Sequence, residues 1–300
     1  MKTIDKDNMF QSIWDFPENI IDALKISEEI KIKNDYENVN KVIVAGMGGS
    51  AIGGDVVNSL IEKDIKIPFI VNRGYNLPAW VDSSTLIICS SYSGNTEETL
   101  SILEKANSIN AKVIGITTGG KLETLCGKYD YDKVLIPSGL QPRAALAFSF
   151  IPLLCVLKKV GVINTDIEPW LHSAAKLIKT KRIEYSEDEA KNPVWALANK
   201  IYSKLPIIYA DSDGLDTGAI RLKGQICENS KILAYHNIYP EMNHNEIVGW
   251  HNNAEYFSNY FVLWVMDKDM NERNKSRQSI ISNILSDLRV KQEIIEVEGD

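Results

Sequence analysis

Excess basic charge is missing from this chain. Its 300 residues carry 33 Lys and Arg against 40 Asp and Glu, a net charge of -7 at neutral pH. Nucleic-acid binding needs a basic face, so no nucleic-acid partner is expected. A long apolar run is also missing. The longest uncharged stretch, Ala144 to Leu157, is too short to span a bilayer, so no membrane partner is expected. The first residues, Met1-Lys2-Thr3-Ile4-Asp5, hold no apolar core of a signal peptide. Cysteine is scarce: Cys89, Cys126, Cys155 and Cys227 lie far apart with no C-x-x-C pair. That pattern excludes a disulfide framework and fits reduced thiols in a cytoplasmic protein. The four histidines show no ligand spacing with Cys or acids, so no metal site is expected.

What is present is an ordinary globular composition, 44% hydrophobic and 24% charged. Apolar strands alternate with helices. Strands are expected at Lys41–Ala45, Ile67–Val71, Leu86–Cys89, Val113–Thr117 and Lys133–Ile136. Helices are expected at Val56–Ile61, Leu100–Ile109 and Ala144–Lys159, preceded by two short ones over Asp5–Ile32 that Pro17 separates. The pattern then restarts: helix Val194–Tyr202, strand Pro206–Ala210, helix Leu215–Asn229, extended Tyr235–Tyr239, helix Asn245–His251, strand Tyr260–Met266, helix Asn271–Leu288 and strand Gln292–Val297. Strands apolar throughout indicate mostly parallel sheets flanked by helices on both faces. The expected organisation is an N-terminal α/β domain over 1–160, a charged or helical connection over 161–191, and a C-terminal α/β domain over 192–300.

The stretch Leu86 to Leu100 runs from apolar strand to hydroxyl-rich loop to acidic helix start. Ser91, Ser93 and Thr96 supply small hydroxyl donors where a helix presents unpaired N–H groups and the positive end of its dipole. No P-loop lysine accompanies them, which suits a phosphate monoester better than a nucleoside triphosphate. A plain helix cap, with Glu97 and Glu98 answering the dipole, is the structural alternative. The run Gly46 to Asp55 also follows a strand. Its G-x-G-x-x-A spacing matches a dinucleotide fingerprint, but the second strand ends Asn72-Arg73-Gly74 with no acid for a ribose. Arg73 keeps a 2′-phosphate reading open, and a tight turn with close helix packing is a third possibility. We favour Gly48, Gly49 and Ser50 as the second wall of the same anion site, because loops at the carboxyl ends of strands line one crevice.

Val44 to Asp55 together with Ser91 to Thr99 resembles a sugar isomerase (SIS) domain. More narrowly, the chain is similar to the bifunctional phosphoglucose/phosphomannose isomerases. Gln141-Pro142-Arg143-Ala144, Gln225 to Lys231 and Pro240 to Glu246 agree, in the same order, from about residue 40 onward. The chain stops at Gly299-Asp300, where the family continues through another helix, so a site residue carried there has no counterpart to place. The resemblance implies two SIS-type domains per subunit and a homodimer with shared active sites. It implies interconversion of glucose 6-phosphate, mannose 6-phosphate and fructose 6-phosphate through an enediolate, by acid/base catalysis without metal or other cofactor. It makes Gly48, Gly49, Ser50, Ser91, Ser93 and Thr96 the substrate-binding residues. Glu228 becomes the base, Arg143 the stabiliser of the intermediate, and His244 the ring-opening group, reaching in from the partner subunit.

The local patterns bear on these roles. Glu228 is expected near the C-terminal end of its helix, where the dipole disfavours an anion and raises its pKa, with Lys231 opposing if the two pair. Read alone, Glu228 is an ordinary solvated acid. Arg143 follows Pro142 at a helix start, a setting that calls for an anionic partner. Asn243-x-x-Glu246 reads as a capping-box variant with His244 as the first helical residue, which would favour the neutral imidazole. Two other functions compete: a non-catalytic module that senses a sugar phosphate, and an NADP-dependent oxidoreductase built on the glycine run.

Overall fold

The computed structural model describes residues 5–187, 191–252 and 254–297. The chain divides into two compact units, Met1–Ile183 and Glu184–Asp300.

The first unit opens with α1 (Met9–Trp14) and α2 (Phe16–Glu28). The break falls at Asp15. Pro17 sits inside the first turn of α2, where its missing N–H costs nothing. Five parallel strands follow: β1 (Lys41–Ala45), β2 (Phe69–Asn72), β3 (Thr85–Ser91), β4 (Lys112–Thr117) and β5 (Asp132–Leu135), in the order β2-β1-β3-β4-β5. Between them lie α3 (Gly48–Ile61), α4 (Glu97–Ser108) and α5 (Gly120–Lys128); α6 (Leu146–Lys159) and α7 (Glu168–Glu184) come after. Alternate residues of one strand serve two cores. Val42 and Val44 face Ile151, Leu154 and other residues of α6, whereas Ile43 and Ala45 face Ile102 and Leu103 of α4 and Leu122 of α5. Burial on both sides is why these strands read as unbroken apolar runs. The stretch Ala144–Leu157 is core: every α6 residue from Ala147 to Leu154 is buried. The expected connection at 161–191 contributes α7, whose Leu171 and Ala175 join the first core and whose Arg182 bonds Glu18 of α2.

The second unit repeats the plan. It holds α8 (Pro193–Ile201), β6 (Leu205–Asp211), α9 (Asp216–Gln225), β7 (Tyr235–Tyr239), α10 (Glu241–Asn245), β8 (Tyr260–Asp267), α11 (Glu272–Asp287) and β9 (Gln292–Val297). Its parallel sheet runs β7-β6-β8-β9, the same neighbour order as β2-β1-β3-β4. One face carries Ile208, Ala210 and Leu263 against Ala219 and Ile226; the other carries Ile207, Tyr209 and Trp264 against Met242, Ile281 and Leu285.

Three helix expectations need correction. The first is α3, which begins at Gly48, not Val56, because its glycines are helical residues that let it lie close to its neighbours. The helix expected over Leu215–Asn229 changes pitch, α9 giving way to a π-helical turn at Ile226–Ser230. The helix expected over Asn245–His251 is instead α10 followed by a 3-10 turn at Gly249–His251. Among the described residues no helix is long and apolar enough to cross a membrane.

Candidate active site

In the first sheet the connections leave β1 and β3 in opposite directions, to β2 and to β4, so a crevice opens between the carboxyl ends of β1 and β3, which pair in register from Lys41↔Thr85 to Ala45↔Cys89. Helices α3 and α4 both start at this edge. Their N-cap residues, Met47 and Thr96, are extended, and neither side chain caps its helix. The Thr96 hydroxyl instead lies 2.7 Å from the buried Ser91 hydroxyl. One hydrogen joins that pair, leaving the other for a ligand. Ser93 is exposed, and its Oγ accepts from the Asn95 amide at 3.2 Å. Ser50 is buried in the first turn of α3. The edge thus combines two positive helix ends, whose first N–H groups have no helical carbonyl to reach, with the small hydroxyls of Ser50, Ser91, Ser93 and Thr96.

The loop's shape depends on Gly94. Its φ of +67° is a glycine conformation, and a Cβ there would lie 1.8 Å from the Gly119 carbonyl oxygen. Two further contacts fix Arg143 to this edge. Backbone meets backbone at Gly49, where a Cβ would fall 2.6 Å from the Pro142 oxygen. The Tyr92 hydroxyl, inside the hydroxyl loop, accepts from the Leu140 amide at 2.9 Å. Arg143 occupies a 3-10 turn, Pro142–Ala144, ahead of α6, and its Nη1 donates to Gln141 Oε1 at 3.4 Å. Gly48, Gly49, Ser50, Ser91, Ser93, Thr96 and Arg143 therefore all belong to one edge of one unit. Arg73 is ion-paired with Asp55 of α3. Tyr92 escaped sequence reading, since a tyrosine bonded to a backbone amide leaves no spacing pattern.

Glu228 and His244 belong to the second unit. Glu228 is exposed in the π-helical turn after α9. Lys231 does not pair with its carboxylate; Nζ donates to the Glu228 backbone oxygen at 2.6 Å and so closes the turn. Arg221, partly buried, feels the Glu228 charge, which opposes the lowering of its pKa by burial. His244 is exposed and stands in the last turn of α10, not the first. The expected capping box does not form, because the Asn243 amide donates to the Pro240 oxygen at 3.0 Å and the Glu246 carboxylate turns elsewhere. Glu228 and His244 also hang on opposite faces of their sheet. Ile226, beside Glu228, packs with Ile208 and Ala210, whereas Met242, beside His244, packs with Tyr209 and Trp264. At the equivalent carboxyl edge of the second sheet stands a buried acid, Asp211, held by Asn274 Nδ2 at 2.7 Å.

Residues 35–138 match the SIS domain family, and residues 190–300 match the bacterial phospho-glucose isomerase C-terminal SIS domain. A bifunctional phosphoglucose/phosphomannose isomerase of Caldicellulosiruptor bescii is 44% identical over 279 residues, 92% of this chain and 82% of the relative. A D-glucosamine-6-phosphate 4-epimerase of Sulfolobus acidocaldarius is 33% identical over 233 residues, 76% of this chain and 71% of its own. The C-terminal domain of glucosamine-fructose-6-phosphate aminotransferase from Francisella tularensis shares the fold, with TM-score 0.70 at 18% identity over 97% of this chain and 83% of that one. With a relative this close along nearly its whole length, and with both of its halves matched, the chain belongs to the bifunctional phosphoglucose/phosphomannose isomerase family.

Proposed function

We propose that this protein is an aldose–ketose isomerase that interconverts glucose 6-phosphate, mannose 6-phosphate and fructose 6-phosphate by acid/base catalysis without a metal, in the cytoplasm. The observation that carries the reading is the pairing of two side-chain-free helix N-termini with the Ser91–Thr96 hydroxyl pair at the crevice of the first sheet. A phosphate dianion bound there needs no arginine clamp. Gly48, Gly49, Ser50, Ser91, Ser93 and Thr96 hold it. His244 moves the proton between ring oxygen and anomeric oxygen that opens the sugar. Glu228 takes the proton from C2 of the open aldose and returns it at C1. Arg143 faces the enediolate oxygens between these two steps.

The active form in this reading is a homodimer, with His244 supplied by the partner subunit. The opposite-face placement of Glu228 and His244 supports it, since one second unit alone separates the two groups. Adding fructose 6-phosphate and following glucose 6-phosphate and mannose 6-phosphate by NMR tests the function. A protein that binds the sugar phosphate and leaves it unchanged is a sensing module instead. The 4-epimerase relative favours a second reading, which the same experiment with D-glucosamine 6-phosphate examines. Inversion at C4 with no aldose–ketose turnover would replace the isomerase by an epimerase.

A further inference from the structure

Glu246 lies two residues past His244 and carries no role in the chemistry above. Its carboxylate nonetheless accepts from three side-chain donors. Tyr209 donates to Oε2 at 2.6 Å; Tyr235 donates to Oε1 at 2.5 Å, and Asn237 Nδ2 donates to Oε1 as well. Trp250 Nε1 in turn donates to the Tyr209 oxygen at 3.3 Å. Burial together with the Glu246 charge pushes the Tyr209 phenol well above its usual range, and the same carboxylate, with burial, pushes Tyr235 up to about 12. Both phenols therefore stay protonated as donors. The backbone closes the same segment, the Glu246 amide donating to the Met242 oxygen at 2.9 Å. A helix of five residues has almost no stability of its own. What holds α10 is Met242 in the core on one side and the Glu246 carboxylate on the other.

We infer that Glu246 is a positioning residue: its carboxylate, tied to two tyrosines and an asparagine of β6 and β7, fixes α10 and so sets where the His244 imidazole is delivered. The inference rests on the assignment of ring opening to His244. If that holds, Glu246→Gln keeps the side chain's size but loses the charge that makes it a strong acceptor for three donors. It lowers kcat tenfold or more on glucose 6-phosphate while KM stays within about twofold, and slows α/β anomer exchange of bound sugar, read by NMR, in the same ratio. Tyr235→Phe, a milder change, falls between the Glu246→Gln variant and native protein in both. Hydrogen exchange of the peptide spanning 240–246 accelerates in the same order, as does sharpening of the His244 ring signal. Faster exchange at 240–246 with unchanged kcat and anomer exchange overturns the inference, and so does lost kcat with native exchange and a native His244 signal. A native protein with no turnover defeats the isomerase reading itself; hydrogen exchange and the ring signal then decide alone whether Glu246 fixes α10.

Discussion

The Tyr92 hydroxyl accepts the Leu140 amide hydrogen at 2.9 Å, so the Ser91–Thr96 loop and the loop that carries Arg143 are one hydrogen-bonded body. Tyr92 is anchored from behind too, its carbonyl accepting from the Thr118 amide and hydroxyl. Removing the phenol oxygen frees a half-buried amide, a loss of about 1 kcal/mol. Tyr92→Phe is expected to lower kcat roughly three- to tenfold through displacement of Arg143, with phosphate affinity nearly unchanged. Steady-state kinetics beside a phosphate-protection melt separate the two.

The glycine contacts predict graded damage. Gly49→Ala must push the Pro142 oxygen away, and is expected to cost about 1–3 kcal/mol of stability, with kcat falling because Arg143 moves. Gly94→Ala combines a positive φ with a Cβ only 1.8 Å from the Gly119 oxygen, and is expected to cost more than Gly49→Ala. Urea unfolding of both proteins checks the order.

Ser91→Ala breaks the hydroxyl pair and, under the proposed reading, removes a hydrogen-bond donor to the phosphate. KM for fructose 6-phosphate is expected to rise about tenfold, the value of one hydrogen bond to a charged group, with a smaller change in kcat. Equal losses in kcat and kcat/KM would move the phosphate elsewhere.

Glu228→Gln is expected to lower kcat by roughly two to four orders of magnitude and to abolish solvent deuterium entry at C1 and C2, with KM little altered. Mixing Glu228→Gln and His244→Ala proteins and allowing subunit exchange is expected to restore part of the activity. Confirmed exchange with no recovery would place a complete site in each subunit.

Glu18 supplies a pH test away from the site. Its hydrogen bond to Arg182 holds the carboxyl below its usual range, offset in part by burial. A depressed carboxyl contributes stability above its unfolded pKa and loses it as the pH falls through the folded value. The Tm deficit of Glu18→Gln is therefore expected to be full at pH 7 and to shrink as the pH drops below about 4.

The strands β1 and β3 were legible because both faces of each meet helices, so Val42 to Ala45 and Leu86 to Cys89 had to be apolar at every position. The Ser91–Thr96 loop was legible as a strand-to-helix turn, because an apolar run gives way there to small hydroxyls and then to an acidic helix start. Helix α3 was misread because glycine signals a break locally, whereas Gly49, Gly53 and Gly54 are set by close approach of Pro142, Ser149 and Val71, which are distant in sequence. His244 was misplaced for the same kind of reason. The pattern Asn243-x-x-Glu246 offered a local partner, and Tyr209 and Tyr235 took the carboxylate instead. Helix α5 is preceded by Gly119 and opens on Gly120, both at positive φ, and its Leu122 and Cys126 give too few buried positions to set a period.

The close approach of Gly49 to Pro142 also turns the first unit into a gauge. Under the proposed reading, the helix start beside the phosphate and the turn that carries Arg143 meet backbone to backbone, so the arginine's side chain swings from a fixed origin. Such a spacing measures the number of carbons between a phosphoester and the reacting pair. A pentose 5-phosphate, one carbon shorter, would hold its phosphate in place and leave its C1 and C2 short of Arg143.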